Sequence, residues 1–557
     1  MSNAVTGSFT AVGEAQEPHA VGLRRAVGIW GSFSWGYADV GADVYVALGL
    51  VVAAAQGLAP MAFALTGMIY MFIGLAYTEL AAAYPVAGGG HYYTLRGLGD
   101  LLGFTAGWAL LLDFTIDVSL FALASAGYIN FFFPFLNGRV TLPIFGPIQL
   151  WLMIEAIVLV VFLIVLNLRG IRESSTLNSL TSAVDMFNES VIIVVGFLFA
   201  FSPNLLFAQF QTQAPDTYHF FYGASIAIIS FVGLESISQA AEETLRPASI
   251  VPRTSLALIF TVLIYALSFS TLGLGMVLDP SKPSWQVISE NVGDPVAVLA
   301  HHIPFLGFIA GPFTALLAAT LVYASANTGV MGYSRITWSM SKFRLLPGWF
   351  KEVHAEYRTP YRTILVFSGV ALLQIILASL SGQAYDTLGN MYAFGAVTGY
   401  ILVLISLIRL RMTDPYTPRP YKVPGNFHIM HNGERVEIPI MAFVGLAGNV
   451  FIWVLVVLTH SIGRIAGPLW LLIGWGIFFY FRRRENLPLL HSIPRHWESE
   501  QMHVLNEAQE YEYLAQYREA LKRRDQRLGV ARDGADASEG QQKEQTSASD
   551  ETKGIKH

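Results

Sequence analysis

Apolar residues gather into runs long enough to cross a bilayer: about Val27–Ala55, Pro60–Tyr84, Leu101–Pro134, Gln149–Leu168, Asn178–Ser202 and Phe220–Ala241 in the first half. The second half repeats the pattern at Arg253–Leu278, Ile303–Met331, Thr363–Leu380, Tyr385–Leu410, Ile440–His460 and Ala466–Phe481. A helix needs roughly 20 such residues to span the hydrocarbon core. The pattern therefore predicts twelve transmembrane helices and an all-α membrane protein.

Four of these spans carry residues that a lipid-facing helix excludes. The first holds Asp39 and Asp43 beside Gly36 and Gly41, the third Asp113 and Asp117, the fifth Asp185 and Glu189, and the sixth Gly233 and Glu235. A carboxylate at that depth costs about 3 kcal/mol or more, so each must face protein, water or a cation. The glycines predict that the first and sixth helices are broken at mid-membrane. Broken backbone is tolerated there only where it lines a cavity, so the two breaks are read as the walls of a binding site. They fall five spans apart, as breaks in two inverted halves would.

Lys and Arg sort the loops. One set carries Arg24, Arg25, Arg96, Arg169, Arg172, Arg246, Arg253, Arg335, Lys342, Arg344, Lys351, Arg358, Arg362, Arg409, Arg411, Arg419, Lys422, Arg435 and Arg482 to Arg484, and the other only Arg139, Lys282 and Arg464. The basic set marks the cytoplasmic side, which predicts that both termini are cytoplasmic; the membrane is expected to be the plasma membrane. Four parts follow: a polar terminus over 1–25, a transporter domain over 26–485, a charged helix-forming segment over 486–528, and a Gly/Ser/Gln/Glu-rich tail over 529–557 that reads as disordered. The last two are expected to form a solvated appendage, with a regulatory role as the alternative. Between the tenth and eleventh spans, Phe427 to Pro439 alternates around Asn432-Gly433 and predicts a small hairpin on the cytoplasmic face.

Composition sharpens this reading. The chain is 54% hydrophobic and 13% charged, against about 25% charged for soluble domains. The formal charge of −5 says little about partners, and none is expected among nucleic acids. Without cysteine there is no disulfide, thiolate metal site or thiol nucleophile. No cofactor is expected. The first 25 residues lack a short apolar core with a small-residue cleavage motif, so the first span is expected to be the insertion signal.

Asp39 and Asp43 stand four apart, as do Asp113 and Asp117. Four carboxylates from two helices cannot all ionise in one low-dielectric site, so a proton or a cation must share it. Tyr37, Tyr45, Phe231 and Trp35 could offer aromatic faces to an ammonium. Glu235, two residues after Gly233, is suited to capping freed N–H groups of the sixth break. Hydroxyls of Ser325 and Thr328 could complete an oxygen cage with Asp185, as a hard cation requires. Glu242, Glu243, Arg246 and Arg253 cluster at the end of the sixth span, as a solvated helix end or a gate network would.

Several stretches, taken in order, resemble the amino acid-polyamine-organocation permeases: Tyr84 to Tyr93 (YPVAGGGHYY), Phe231 to Ser236 (FVGLES) with Glu242 to Pro247 (EETLRP), Ala326 to Gly329 (ANTG) with Ser334, Arg335, Leu346 and Pro347, and Arg419 to Gly425 (RPYKVPG). The resemblance covers about residues 25 to 485. It implies a leucine-transporter-like fold of two inverted five-helix repeats, broken helices 1 and 6, and secondary transport by alternating access.

It also implies roles. Asp113, within LLDFT, matches an acidic residue of the potassium-transporting branch, whereas Val232 stands where that branch has threonine. Many proton-coupled members place a lysine at the position of Asp185, so this chain leaves room for a sodium ion or needs a proton there. In amino acid permeases, backbone N–H groups of the first break hold the substrate carboxylate. Asp43 beside that point opposes it and favours an amine, a cationic amino acid or an inorganic cation.

Two other classes fit less well. An intramembrane aspartyl protease would use the GLGD motif ending at Asp100, but needs a partner aspartate and the second span has only Glu79. A cation channel needs a symmetric ring of ligands, and these acids are spread unequally. The expectation is a carrier importing an amino acid or related amine with a proton or sodium ion, with a potassium/proton symporter as the alternative. Its substrate site is Asp39, Gly41, Asp43, Tyr45, Phe231, Gly233 and Glu235, and its coupling site Asp113, Asp117, Asp185, Ser325 and Thr328.

Overall fold

The computed structural model describes residue 25 and residues 27–529, apart from 144–145, 170–173, 355–356, 358 and 432. The polar terminus before Arg25, the tail beyond Gly529, and Arg24, Arg172, Arg358 and Asn432 lie outside the described residues.

The expected first span forms α1 (Ile29–Ala55), which a 3-10 turn at Gln56–Leu58 joins to α2 (Ala59–Ala83). These two make one apolar stretch of 55 residues, Ile29–Ala83, among eleven stretches within the described residues that are long and apolar enough to cross a membrane. The other ten correspond in order to the remaining expected spans. The count differs from twelve because the turn at Gln56 barely interrupts the helix.

After α2, the loop through Gly88 and Gly89, both at positive φ, leads into α3 (Gly90–Leu98) and α4 (Asp100–Asn130). A Cβ at Gly88 would lie 2.6 Å from the Ser339 hydroxyl, so only glycine fits that turn. A short hairpin, β1 (Val140–Leu142) with β2 (Gly146–Ile148), precedes α5 (Leu150–Arg169) and α6 (Ser174–Phe199). Next come α7 (Pro203–Thr212), α8 (Thr217–Ile226), α9 (Glu235–Gln239) and α10 (Pro247–Gly275).

The second half holds α11 (Ser284–Glu290), α12 (Pro295–His301), α13 (Gly307–Lys342), α14 (Tyr361–Leu380) and α15 (Ala384–Thr413). The expected hairpin is present as β3 (Asn426–His431) and β4 (Glu434–Pro439), paired His431 to Glu434 through Gly433 at positive φ. Then follow α16 (Ile440–Thr459), α17 (Gly463–Arg484), α18 (Trp497–Glu507) and α19 (Tyr511–Leu528).

Burial explains the arrangement. Helix α4 is buried along its span, Asp113 and Asp117 included, whereas α5 and α17 keep most of their apolar surface outward. A helix buried on every side belongs at the centre, and the outward surfaces suit lipid. Around α4 pack α13, α15, α3 and α5, while α1 packs against α10, α13, α8 and α6.

One expectation fails. Helix α1 is continuous over all 27 residues, with no break at Gly36 or Gly41. Both glycines are used for close approach instead: a Cβ at Gly36 would stand 2.7 Å from the Ile237 and Leu258 side chains, and one at Gly41 2.8 Å from the Tyr37 ring. The helical backbone therefore runs past both glycines without interruption.

Candidate functional site

The sixth span is broken. Helix α8 ends at Ile226, a 3-10 turn covers Ala227–Phe231, Val232 is extended, and Gly233 takes a φ of +115° before α9 begins. That φ favours glycine, and a Cβ there would also meet the Asp39 carboxylate at 2.9 Å. The Gly233 N–H donates to Glu235 Oε2 at 3.1 Å, so Glu235 caps the break as expected. Phe231 is fully buried and stacks on Tyr70 with ring centres 5.1 Å apart.

Opposite this break, α1 and α4 bring their acids together. The Thr328 hydroxyl donates to Asp39 Oδ1 at 2.5 Å, the Ser236 hydroxyl donates to Oδ2, and Ser325 approaches Oδ1 at 3.4 Å. Asp39 is thus well satisfied. Among the described residues, neither oxygen of Asp43 has a hydrogen-bond partner, nor does Oδ2 of Asp117, whereas Asp113 faces Glu235 across an acid–acid hydrogen bond. Asp117 Oδ1 faces the Tyr392 hydroxyl at a long 3.5 Å. Glu235 accepts from the Tyr400 hydroxyl at 3.0 Å. The hydroxyls of Tyr70 and Tyr77 are also buried without partners.

The charged groups acting on Asp43 are Asp39, Asp117, Asp113 and Glu235. All five acids are at most 3% exposed. The centre therefore assembles five carboxylates and four tyrosine hydroxyls around unpaired oxygens. Gly329 lets α13 lie against this cluster, since a Cβ there would meet Asp117 Oδ2 at 2.6 Å.

A second acidic site lies between α1 and α6. The Tyr37 hydroxyl sits 2.9 Å from Asp185 Oδ2 and 2.7 Å from Glu189 Oε2, and Tyr45 donates to Asp185 Oδ1 at 2.6 Å. Glu189 Oε1 is buried without a partner. This corrects two expectations. Ser325 and Thr328 serve Asp39 rather than a cage with Asp185, because α13 meets α1 at that level. Tyr45 turns its hydroxyl to Asp185 and its ring edge-on to Tyr128, rather than offering a face to substrate. Among the described residues, no group of three or more His, Cys, Asp or Glu side chains is arranged to hold a metal ion.

At the end of the bundle where α1 begins, Glu243 pairs with Arg335 at 2.6 Å, and Glu242 accepts the Ala87 N–H at 2.8 Å. Arg335 lies over Trp35, 5.0 Å from a ring centre, so that aromatic face is occupied. At the opposite end, a cavity of about 650 Å³ is lined by Leu50 and Ala54 of α1 with Arg139, Glu290, Asp294 and Asp386. Leu50 stands seven residues from Asp43, about 10 Å along the helix. Burial raises Asp294, in this cavity, to about 7.

Sequence reasoning missed Ser236, Tyr70, Tyr77, Tyr392 and Tyr400. The tyrosines carried a signal: Tyr392 and Tyr400 are eight apart in the tenth span and Tyr70 and Tyr77 seven apart in the second, spacings that keep each pair near one helical face.

A family model described as amino acid permease matches residues 28–479. The branched-chain amino acid permease BcaP of Bacillus subtilis is 26% identical over 83% of this chain and 94% of its own length. The cationic amino acid transporter 4, vacuolar, of Arabidopsis thaliana is 28% identical over 66% of this chain and 60% of its own. The low-affinity putrescine importer PlaP of Escherichia coli is 25% identical over 65% and 75%.

Proposed function

The chain belongs to the amino acid permease family, and on that premise we propose that it is a secondary transporter recognising its substrate through a positively charged ammonium group. A multi-pass membrane transporter for amino acids or amines is the class its relatives support. The finer reading rests on one observation: among the described residues, Asp43 and Asp117 present buried carboxylate oxygens with no donor. Buried acceptors left unpaired cost about 1–3 kcal/mol each, more when charged, and a bound ammonium would satisfy several at once.

The same geometry favours an amine over a zwitterionic amino acid. A substrate carboxylate needs free backbone donors, but α1 keeps its own ladder and the Gly233 N–H is committed to Glu235. Asp39, Gly41, Asp43, Phe231, Gly233 and Glu235 line the proposed substrate site, with Asp113 and Asp117 completing its negative wall.

Proton coupling is assigned to Asp185 and Glu189. Tyr37 has one hydroxyl proton yet lies within bonding distance of both acids. One contact uses that proton, and the other is a hydrogen bond only if the acid brings its own. This favours a proton over sodium as the coupling ion. The remaining proposals are twelve crossings in two inverted repeats, import across the plasma membrane, and a cytoplasmic face at the end carrying α18 and α19. Uptake into proteoliposomes of labelled putrescine, lysine and leucine under a pH gradient, with and without sodium, tests the reading. Leucine as the sole substrate would overturn the ammonium assignment.

A further inference from the structure

The segment after α17 does not stand off in solvent. Arg495 pairs with Asp100 at the start of α4 at 2.5 Å and donates to the Phe343 carbonyl at the end of α13 at 2.8 Å. Gln501, fully buried, donates to the Ala83 carbonyl at the end of α2 at 2.9 Å and accepts from Arg96 of α3 at 3.1 Å. Glu510 accepts the Ala248 N–H in the first turn of α10 at 3.0 Å, where a carboxylate is also favoured by the helix dipole. Arg527 pairs with Glu434 of β4. Between these attachments α18 and α19 hold each other through Leu505, Leu514, Tyr517 and Leu521.

We propose that 486–528 is an intrinsic strap that holds this end of the bundle closed. Its ties land on α2, α3, α4, α10, α13 and β4, so no tie merely repeats another. An anchor for the segment itself would need one such tie. A set that spans the rim bridges elements that must separate before the buried acids can reach this face. The closure it secures is visible beneath it, where Gly89 lies so close to Ser238 of α9 that a Cβ would stand 2.4 Å from its hydroxyl. At the other end the 650 Å³ cavity, lined by Leu50 and Ala54 of α1, approaches the site. The strap rests on the transport reading, because only a transporter has to open here.

The absence of cysteine supplies the test. Ser238→Cys places a single thiol beneath the closure, 1% exposed in this state. Its labelling by a maleimide presented from this face reads opening without any substrate, so it stays informative if no tested amine is moved. Adding Glu510→Ala or Gln501→Ala is expected to speed labelling roughly tenfold, the shift that loss of one cap or buried charged hydrogen bond produces. Glu510→Gln keeps an acceptor oxygen and is expected to stay near the slow rate. Melting temperature and monodispersity identify any variant that fails to fold. Unchanged labelling in both alanine variants, each folded, would overturn the strap.

Discussion

Two sets of buried acids divide this molecule. At the rim, Glu79 is clasped by Arg411 at 2.5 Å and Arg419 at 3.1 Å and accepts the Val423 N–H at 2.8 Å. Asp100 is held by Arg482 and Arg495, and Asp414 by Arg96 at 2.7 Å. Burial alone would raise Asp414, yet Arg96 and Arg419 hold it below the usual carboxylate range. At the centre, Asp43, Asp113 and Asp117 are as deeply buried, and their charged neighbours are other acids, Asp39 and Glu235 among them. The residue types are the same and the accounting is opposite. Acids that answer a guanidinium tie helices together at the rim; the central acids face other acids and tyrosine hydroxyls instead.

That contrast can be broken by substitution. Removing a rim acid should hurt most. Glu79→Ala strands two guanidiniums in the interior and is expected to destabilise by about 3–5 kcal/mol, read as a large fall in melting temperature or loss of membrane protein. Retention of near-wild-type stability would show that the rim pairs are not structural. At the centre the signs reverse. Asp43→Asn is expected to cut amine uptake roughly 30-fold or more, since truncating one side of a buried charge pair costs about 2–5 kcal/mol. Melting temperature should hold or rise, because a buried charge without a partner is gone. Full uptake in that variant would remove Asp43 from the site.

A smaller effect separates the two acidic sites. Tyr37→Phe takes away the hydroxyl shared by Asp185 and Glu189 and is expected to displace the pH dependence of uptake by about one unit. Substrate affinity at a fixed favourable pH should change little. An unmoved pH profile would detach Asp185 and Glu189 from coupling. The smallest effect concerns Asp294 in the outer cavity. Its folded value, about 7, lies above the ordinary carboxylate value, so its contribution to stability is full in acid and is lost as pH rises toward 7. Asp294→Asn should flatten the fall in melting temperature over that window. An unchanged slope would show that Asp294 ionises freely.

The spans, the β3–β4 hairpin and the break at Gly233 were legible because each is written locally, in apolar run length, alternation around Asn-Gly, and a glycine with a carboxylate two residues on. The break expected in α1 was not there, since glycine permits an interruption and equally permits close packing. Gly36 takes the second course because Ile237 and Leu258 arrive against it. Thr328 was assigned to the wrong acid for a related reason. Spacing along α13 cannot say whether its hydroxyl row meets α1 or α6. The charged helices after α17 read as a solvated appendage because each short-range feature is polar, and their docking depends on partners as distant as Ala83 and Ala248.

The sequence by itself determined that this chain lives in a bilayer and that its interior carries acids too expensive to be idle, because hydrophobic run length and the penalty on a buried carboxylate are properties of short stretches. Only the tertiary structure decided which acids are answered. Pairing is a relation between helices hundreds of residues apart, and whether a carboxylate is a brace or a receptor depends on whether another helix brings an arginine to it.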